Sequence, residues 1–269
     1  MATESATSLR RAHAILLALS SDEAAAKGGL GVIRIAVLTG REKSQVSRTL
    51  RTLSELGFVD RDPDTLSYRL GWGLISLSAR AGEQRLLEAT SPLLVRLVNE
   101  VGEGAHLSVL KGKEVLTVLS ESPGQALQAV NWVGRMVPAY CTSSGRALLL
   151  DHEESELIRL WEEGSWPRPG PNAPADVDDF CARVAHARAE GYVVADEELE
   201  AGLVAVAAPI RDERGRISAA LDVSGPKFRL EGRTHLVGAR IKATSDELSS
   251  IDWRSRAASH AAGAPAHLG

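Results

Sequence analysis

The 269-residue sequence predicts an α+β protein: an N-terminal winged helix–turn–helix, a helical linker, and a C-terminal antiparallel sheet with helices packed on it. Three observations carry this. Residues Thr39 to Val59 (TGREKSQVSRTLRTLSELGFV) hold a two-faced helix, and two short strand-like segments follow it directly. Beyond residue 100, apolar strand-like runs alternate with amphipathic stretches, and two pairs of runs are joined by short polar turns. Between these regions lies a helical stretch too short to form a core of its own. The expected divisions are 1–70 for the winged helix, 71–88 for the linker, 89–252 for the larger domain and 253–269 for a mobile tail without core residues. A chain of this length holds two cores.

Taken in order, Ser8 to Leu19 reads as the first helix, with Ser8 as N-cap and Leu9, Ala12, Ile15, Leu16 and Leu19 on one face. Ser20 to Gly29 reads as a loop. Leu30 to Leu38 forms a short supporting helix, and Thr39-Gly40-Arg41 is the turn into the next one. Glu42 opens that helix with a carboxylate at the positive end of its dipole. Val46, Leu50 and Leu53 make its buried stripe, and Gly57 closes it as a left-handed cap. Phe58 to Arg61 and Leu66 to Leu70 are then two strands around Asp62-Pro63-Asp64-Thr65.

The outer face of the Glu42–Gly57 helix carries Lys43, Ser44, Gln45, Ser47, Arg48, Arg51 and Thr52, with Arg41 just before it. This face is dense in donors and nearly free of apolar groups. By itself it fits an ordinary solvated helix surface. With a hairpin directly downstream, and with Arg61 and Arg69 placed to meet phosphate, double-stranded DNA is the better-supported partner. Charge agrees locally rather than globally. The whole chain carries a net −4, but residues 1–70 hold ten Lys and Arg against eight Asp and Glu, and Arg41 to Arg51 hold four cations against one anion.

Gly71 to Glu83 contains Trp72, Leu74, Ile75 and Leu77, apolar enough to bury against a partner. Arg85 to Val101 continues as helix, where Pro92 permits a break between a linking helix and the next one. His106–Leu110 and Val115–Leu119 form a hairpin across Lys111 to Glu114, with Leu127–Val133 as a third strand. Gly145–Leu150 and Glu154–Trp161 read as helices, Trp166–Pro174 as a loop, and Asp176–Glu190 as an amphipathic helix with Val177, Phe180, Val184 and Ala187 inward. Val204–Ile210 and Ile217–Val223 make a second hairpin, and His235–Ile251 is the closing helix.

Several function classes are disfavoured. No apolar run reaches membrane-spanning length, and MATESATSLRRAH lacks the form of a signal peptide, so a cytoplasmic location is expected. Two cysteines, Cys141 and Cys181, form no disulfide framework, and seven scattered histidines show no metal-ligand spacing. Ser143-Ser144-Gly145 lacks the upstream glycine of a nucleophile elbow, and Gly112-Lys113-Glu114 is not a phosphate loop. Cys141 has no histidine near it in sequence, and a small buried thiol fits it better than a nucleophile or a redox sensor. No cofactor and no catalysis are expected.

The order and spacing of several motifs resemble the IclR family of bacterial transcription regulators. They are SLRRAHAILLAL, TGREKSQVSRTLRTLSELGFV and YRLGWGL in the first part, and VGRMVPAYCTSSGRALL and EGYVVADEELEAGLVAVAAPIRDERGRISAALDVSGP in the second. The resemblance spans about residues 8–251. It implies a C-terminal GAF-like (profilin-like) domain that binds a small-molecule effector, and a homodimer or dimer of dimers on a palindromic operator. It places the effector against three segments: the loop Tyr140 to Gly145 (with Tyr140, Cys141, Ser143 and Ser144), Asp196 with the strand Gly202 to Val206 (with Ala205), and Asp222 to Ser224 (with Asp222 and Ser224). In the effector site two positions depart from the family pattern, Ala205 where a cysteine is common and Asp222 where a serine is common; just after Gly40, Arg41-Glu42 stands where a Leu-Pro pair is common. Two readings of Asp222 stay open: it meets a donor-bearing effector, or it pairs with an internal arginine such as Arg146. A sensor that acts through protein partners without DNA is the alternative function.

Overall fold

The computed structural model describes residues 2–78, 84–124, 132–161 and 166–251. The tail expected from Trp253, part of the linker and most of the strand expected at Leu127–Val133 lie outside them. The described residues form two compact units that divide between Gln84 and Arg85.

The first unit contains α1 (Ala2–Leu19), α2 (Asp22–Lys27), α3 (Val32–Thr39), α4 (Lys43–Glu55), β1 (Val59–Arg61), β2 (Tyr68–Leu70) and α5 (Trp72–Ser78). Its core joins Ile15 and Leu19 of α1, Ile35 of α3, Val46, Leu50 and Leu53 of α4, and Val59 and Tyr68 of the wing. Two expectations are corrected. Helix α1 begins at Ala2, so Ser8 lies within it and is not its N-cap. The supposed loop after it contains α2: the Ser21 hydroxyl accepts from the Ala24 amide, Gly28 closes it in the left-handed conformation, and Asp22 and Lys27 suit the two dipole ends. Leu30 exchanges both backbone hydrogen bonds with Tyr68, which adds a third short strand segment to the wing.

The second unit contains α6 (Gln84–Val101), β3 (Gly104–Lys111), β4 (Glu114–Glu121), β5 (Met136–Pro138), α7 (Ser143–Leu148), α8 (Glu154–Trp161), α9 (Val177–Glu190), β6 (Val193–Asp196), β7 (Leu203–Arg211), β8 (Ile217–Pro226), α10 (Lys227–Leu230) and α11 (Thr234–Ser249). The strands pair antiparallel in the order β5-β4-β3-β8-β7-β6. Helices cover both faces. On one face Leu94, Leu97 and Ile241 of α6 and α11 meet Leu107, Val206, Leu221 and Val223. On the other, α7, α8 and α9 bring Ala147, Leu157, Phe180 and Val184 onto Ala207 and Ala220.

Pro92 does not break its helix. α6 runs through it, because Leu86 before it and Leu93, Leu94 and Leu97 after it are buried along one face. That burial outweighs the roughly 3 kcal/mol cost of an interior proline. Trp132 and Val133 are not in a strand; the strand paired with β4 is Met136–Pro138. Val177 is only half-buried, and Cys181 takes a place on the buried face of α9.

Candidate functional site

The first candidate surface is built on α4. Gly40 takes a left-handed conformation (φ 61°), and the Arg41 amide bonds the Ala36 carbonyl, so α3 stops and the chain turns into α4 within three residues. Glu42 is the N-cap residue, although its side chain makes no capping bond. With Val46, Leu50 and Leu53 buried, the opposite face is fixed by helical periodicity. Arg41, Lys43, Ser44, Arg48, Arg51 and Thr52 are exposed, and Gln45 and Ser47 are half-buried beside them. Among the described residues, no carboxylate pairs with Arg41, Lys43, Arg48 or Arg51. On the wing, Arg61 lies over the Tyr68 ring at 5.7 Å and Arg69 stands 3.9 Å from Asp60, both exposed. Four exposed cations without a carboxylate partner among the described residues stand on or beside one face of α4, a charge arrangement suited to a polyanion.

The second candidate is a cavity of about 50 Å³ on the α7 side of the larger sheet, about 490 Å³ when all the space between its lining atoms and its solvent-filled mouth is counted. Strand alternation builds its floor. Ala105, Leu107, Leu221 and Val223 turn to the α6–α11 core, so His106, Ser108, Asp222 and Ser224 turn to the other face. Thr117 of β4 and Ala205 of β7 extend the floor, and Cys141 to Ser144 at the start of α7 cover it. α7 can sit this close because position 145 is glycine: a Cβ there would lie 2.2 Å from the Ala139 carbonyl oxygen. Thr142 caps the helix by accepting from the Gly145 amide at 3.2 Å.

The polar groups of the floor are partly satisfied within it. The His106 ring nitrogens lie 2.8 Å from the Ser120 hydroxyl and 3.1 Å from the Ser224 hydroxyl, and burial lowers the histidine to about 4, so it is neutral at physiological pH. The Ser108 hydroxyl donates to Asp222 at 3.3 Å. Burial nevertheless pushes the Asp222 carboxyl up to about 7, with that one bond opposing. Cys141 is pushed up to about 12, first by burial and then by the charge of Glu198, and so stays a thiol.

Of the residues assigned to the effector, Cys141, Ser143, Ser144, Ala205, Asp222 and Ser224 line this cavity. Tyr140 and Asp196 do not. Tyr140 donates to the Pro167 carbonyl and packs edge-on to Trp166, while Asp196 is held by Lys227 at 2.9 Å. The pairing of Asp222 with Arg146 is overturned as well. Arg146 is buried and bonds Glu198 at 2.8 Å and the Val194 carbonyl at 2.6 Å, with Arg183 on the same carboxylate at 3.2 Å. Thr142 and Leu203, from the expected loop and strand, line it too, and His106, Ser108, Thr117, Trp132, Val137, Ala195 and Leu199 complete the lining from positions not assigned to the effector from sequence. For His106 and Ser108 the signal was present: two polar residues flank Leu107 at strand spacing. Trp132 and Leu199 come from irregular segments, where no local pattern marks them.

Comparison with known proteins gives two family matches, the IclR helix-turn-helix domain over residues 8–63 and the bacterial transcriptional regulator IclR C-terminal domain over residues 79–250. The Pca regulon regulatory protein of Pseudomonas putida is 31% identical over 220 residues, which cover 81% of this chain and 74% of that one. The repressor AllR of Escherichia coli is 26% identical over 93% of this chain and 92% of its own. An IclR homolog from Microbacterium hydrocarbonoxydans, solved in complex with 4-hydroxybenzoate, has a TM-score of 0.78 at 25% identity, covering 93% of this chain and all of that one. An Alicyclobacillus acidocaldarius regulator has a TM-score of 0.73 at 26% identity, covering 92% and 98%.

Proposed function

The chain belongs to the IclR family of bacterial transcriptional regulators, and from that premise we propose that it is a repressor whose hold on a palindromic operator changes when a small molecule fills the cavity over Asp222. In this reading residues 1–70 bind the operator, 71–88 link the domains and 89–252 bind the effector. Lys43, Ser44, Gln45, Ser47, Arg48, Arg51 and Thr52 face the major groove, while Arg41, Arg61 and Arg69 meet phosphate. The effector is a small or aromatic acid, or its amide or hydrazide derivative. The Microbacterium relative that holds 4-hydroxybenzoate supports a ligand of that size. Pairing of two or four chains is favoured by the exposed Trp72, Ile75 and Leu77 of α5. Among the described residues no helix is long and apolar enough to cross a membrane, and the chain works in the cytoplasm.

The observation that carries this reading is the coexistence of a cationic α4 face and a cavity lined by six of the eight residues assigned to the effector. It is tested with labelled DNA from upstream of the chain's own gene. Affinity should fall steeply as salt rises, and Arg48→Ala should weaken it by about 1–3 kcal/mol. DNA binding that is absent, or indifferent to salt, would leave a sensor that works through protein partners.

A further inference from the structure

Asp222 is an acid group whose hydrogen bonding among the described residues is incomplete. It is buried, its Oδ1 accepts from Ser108, and its Oδ2 receives no hydrogen bond from a described residue. The groups that face it can be named by element. β3 offers His106 and Ser108, β4 offers Thr117, β7 offers alanines, and the start of α7 offers Cys141, Thr142, Ser143 and Ser144. The titratable members are His106, neutral with its ring nitrogens engaged by Ser120 and Ser224, and Cys141, held as a thiol. No lysine or arginine lines the cavity among the described residues. A carboxylate that faces a cavity takes its remaining donors from whatever fills that cavity, and their number sets how well its charge is tolerated.

We propose that Asp222 makes the cavity selective for a molecule that presents a hydrogen-bond donor to it, such as an amide, hydrazide, amine or hydroxyl on a small apolar body, over the carboxylate of the same shape. This rests on the reading of the cavity as the effector site and narrows it. The apolar body fits the walls made by Trp132, Val137, Leu199 and Leu203. A donor-bearing group completes the coordination of the ionised Asp222. A carboxylate in the same pose meets a like charge and enters only with a proton shared between the two acids. Its affinity therefore falls about tenfold for each pH unit once Asp222 is ionised, whereas that of the amide does not.

The test uses the full chain and three probes of matched shape, benzamide, benzohydrazide and benzoate, none of which carries a second donor group on the ring, titrated by calorimetry at pH 6 and pH 8. At pH 8 the amide and hydrazide should bind at least tenfold more tightly than the acid, and the gap should narrow at pH 6. Asp222→Ser should reverse the order, and Asp222→Asn should remove its pH dependence. An acid that binds the wild-type chain as tightly as the amide at pH 8, an unchanged order in Asp222→Ser, or binding by none of the probes would overturn the proposal. Ala205→Phe, which fills the cavity, separates the two levels of inference. Loss of all probe binding by a variant with unchanged circular dichroism places the probes at Asp222. Binding that survives in it removes the cavity as the effector site, whatever the order of affinities.

Discussion

Ionising Asp222 puts a charge among apolar and hydroxyl groups, and burial accordingly raises its carboxyl from 3.8 to about 7. The folded chain thus keeps a proton that the unfolded chain has already released between about pH 4 and 7. By linkage, stability falls as pH rises across that interval. His106 acts in the opposite sense: its folded value is lowered from 6.5 to about 4, so the unfolded chain takes up the proton first and stability is lost as pH falls through that window. Asp222→Asn, which keeps shape and removes the charge, should therefore raise the thermal midpoint at pH 8, by an amount corresponding to at most about 4 kcal/mol, and do little at pH 4.5. Calorimetric unfolding at the two pH values measures it. A variant that loses stability at pH 8 would show that the carboxylate has a partner in the free protein. At this scale the sequence showed that Asp222 is unusual, but not what it faces. Arg146 was a plausible counter-ion only until Glu198, some fifty residues further along the chain, was seen to hold it.

Elements were legible where caps and periodicity agree, as in α4 with Gly40, its apolar stripe and Gly57, and in α9 between Asp176 and Gly191. α2 was equally marked by Ser21, Asp22, three alanines, Lys27 and Gly28, and was passed over because small polar residues surround it. β5 is three residues long and held by pairing with β4, which no local pattern announces. α7 carries the cavity's cover, and its seat is set by one missing methyl. Gly145→Ala must push α7 away from Ala139, because the added methyl meets backbone that cannot swing aside. The expected cost is about 1–3 kcal/mol, together with loss of probe binding at the Asp222 cavity, read by denaturant unfolding and calorimetry. Thr142→Ala, which removes only the cap, should cost about 1 kcal/mol and leave measurable binding. Equal loss of binding in both variants would mean that the helix cap, not the glycine seat, fixes the cover.

For the whole molecule, the two units have separate cores, and the residues that would bind DNA and effector lie in different ones. Regulation by such a chain is then a coupling free energy between two sites, and coupling of this kind is reciprocal. If saturating effector weakens operator binding by some factor, saturating operator DNA must weaken effector binding by the same factor; a useful switch needs about 1–3 kcal/mol, or roughly 5–150-fold. The two halves of the cycle can be measured independently, by DNA anisotropy with and without the tightest probe, and by calorimetry of that probe with and without DNA. Because Asp222 is linked to protons, both halves should move together as pH is changed from 6 to 8. A probe that shifts operator affinity while DNA leaves probe affinity unchanged breaks the cycle. In that case the effect on DNA would arise outside the Asp222 cavity, through a second site or a change in chain association, and the cavity would be a binding site without a regulatory role.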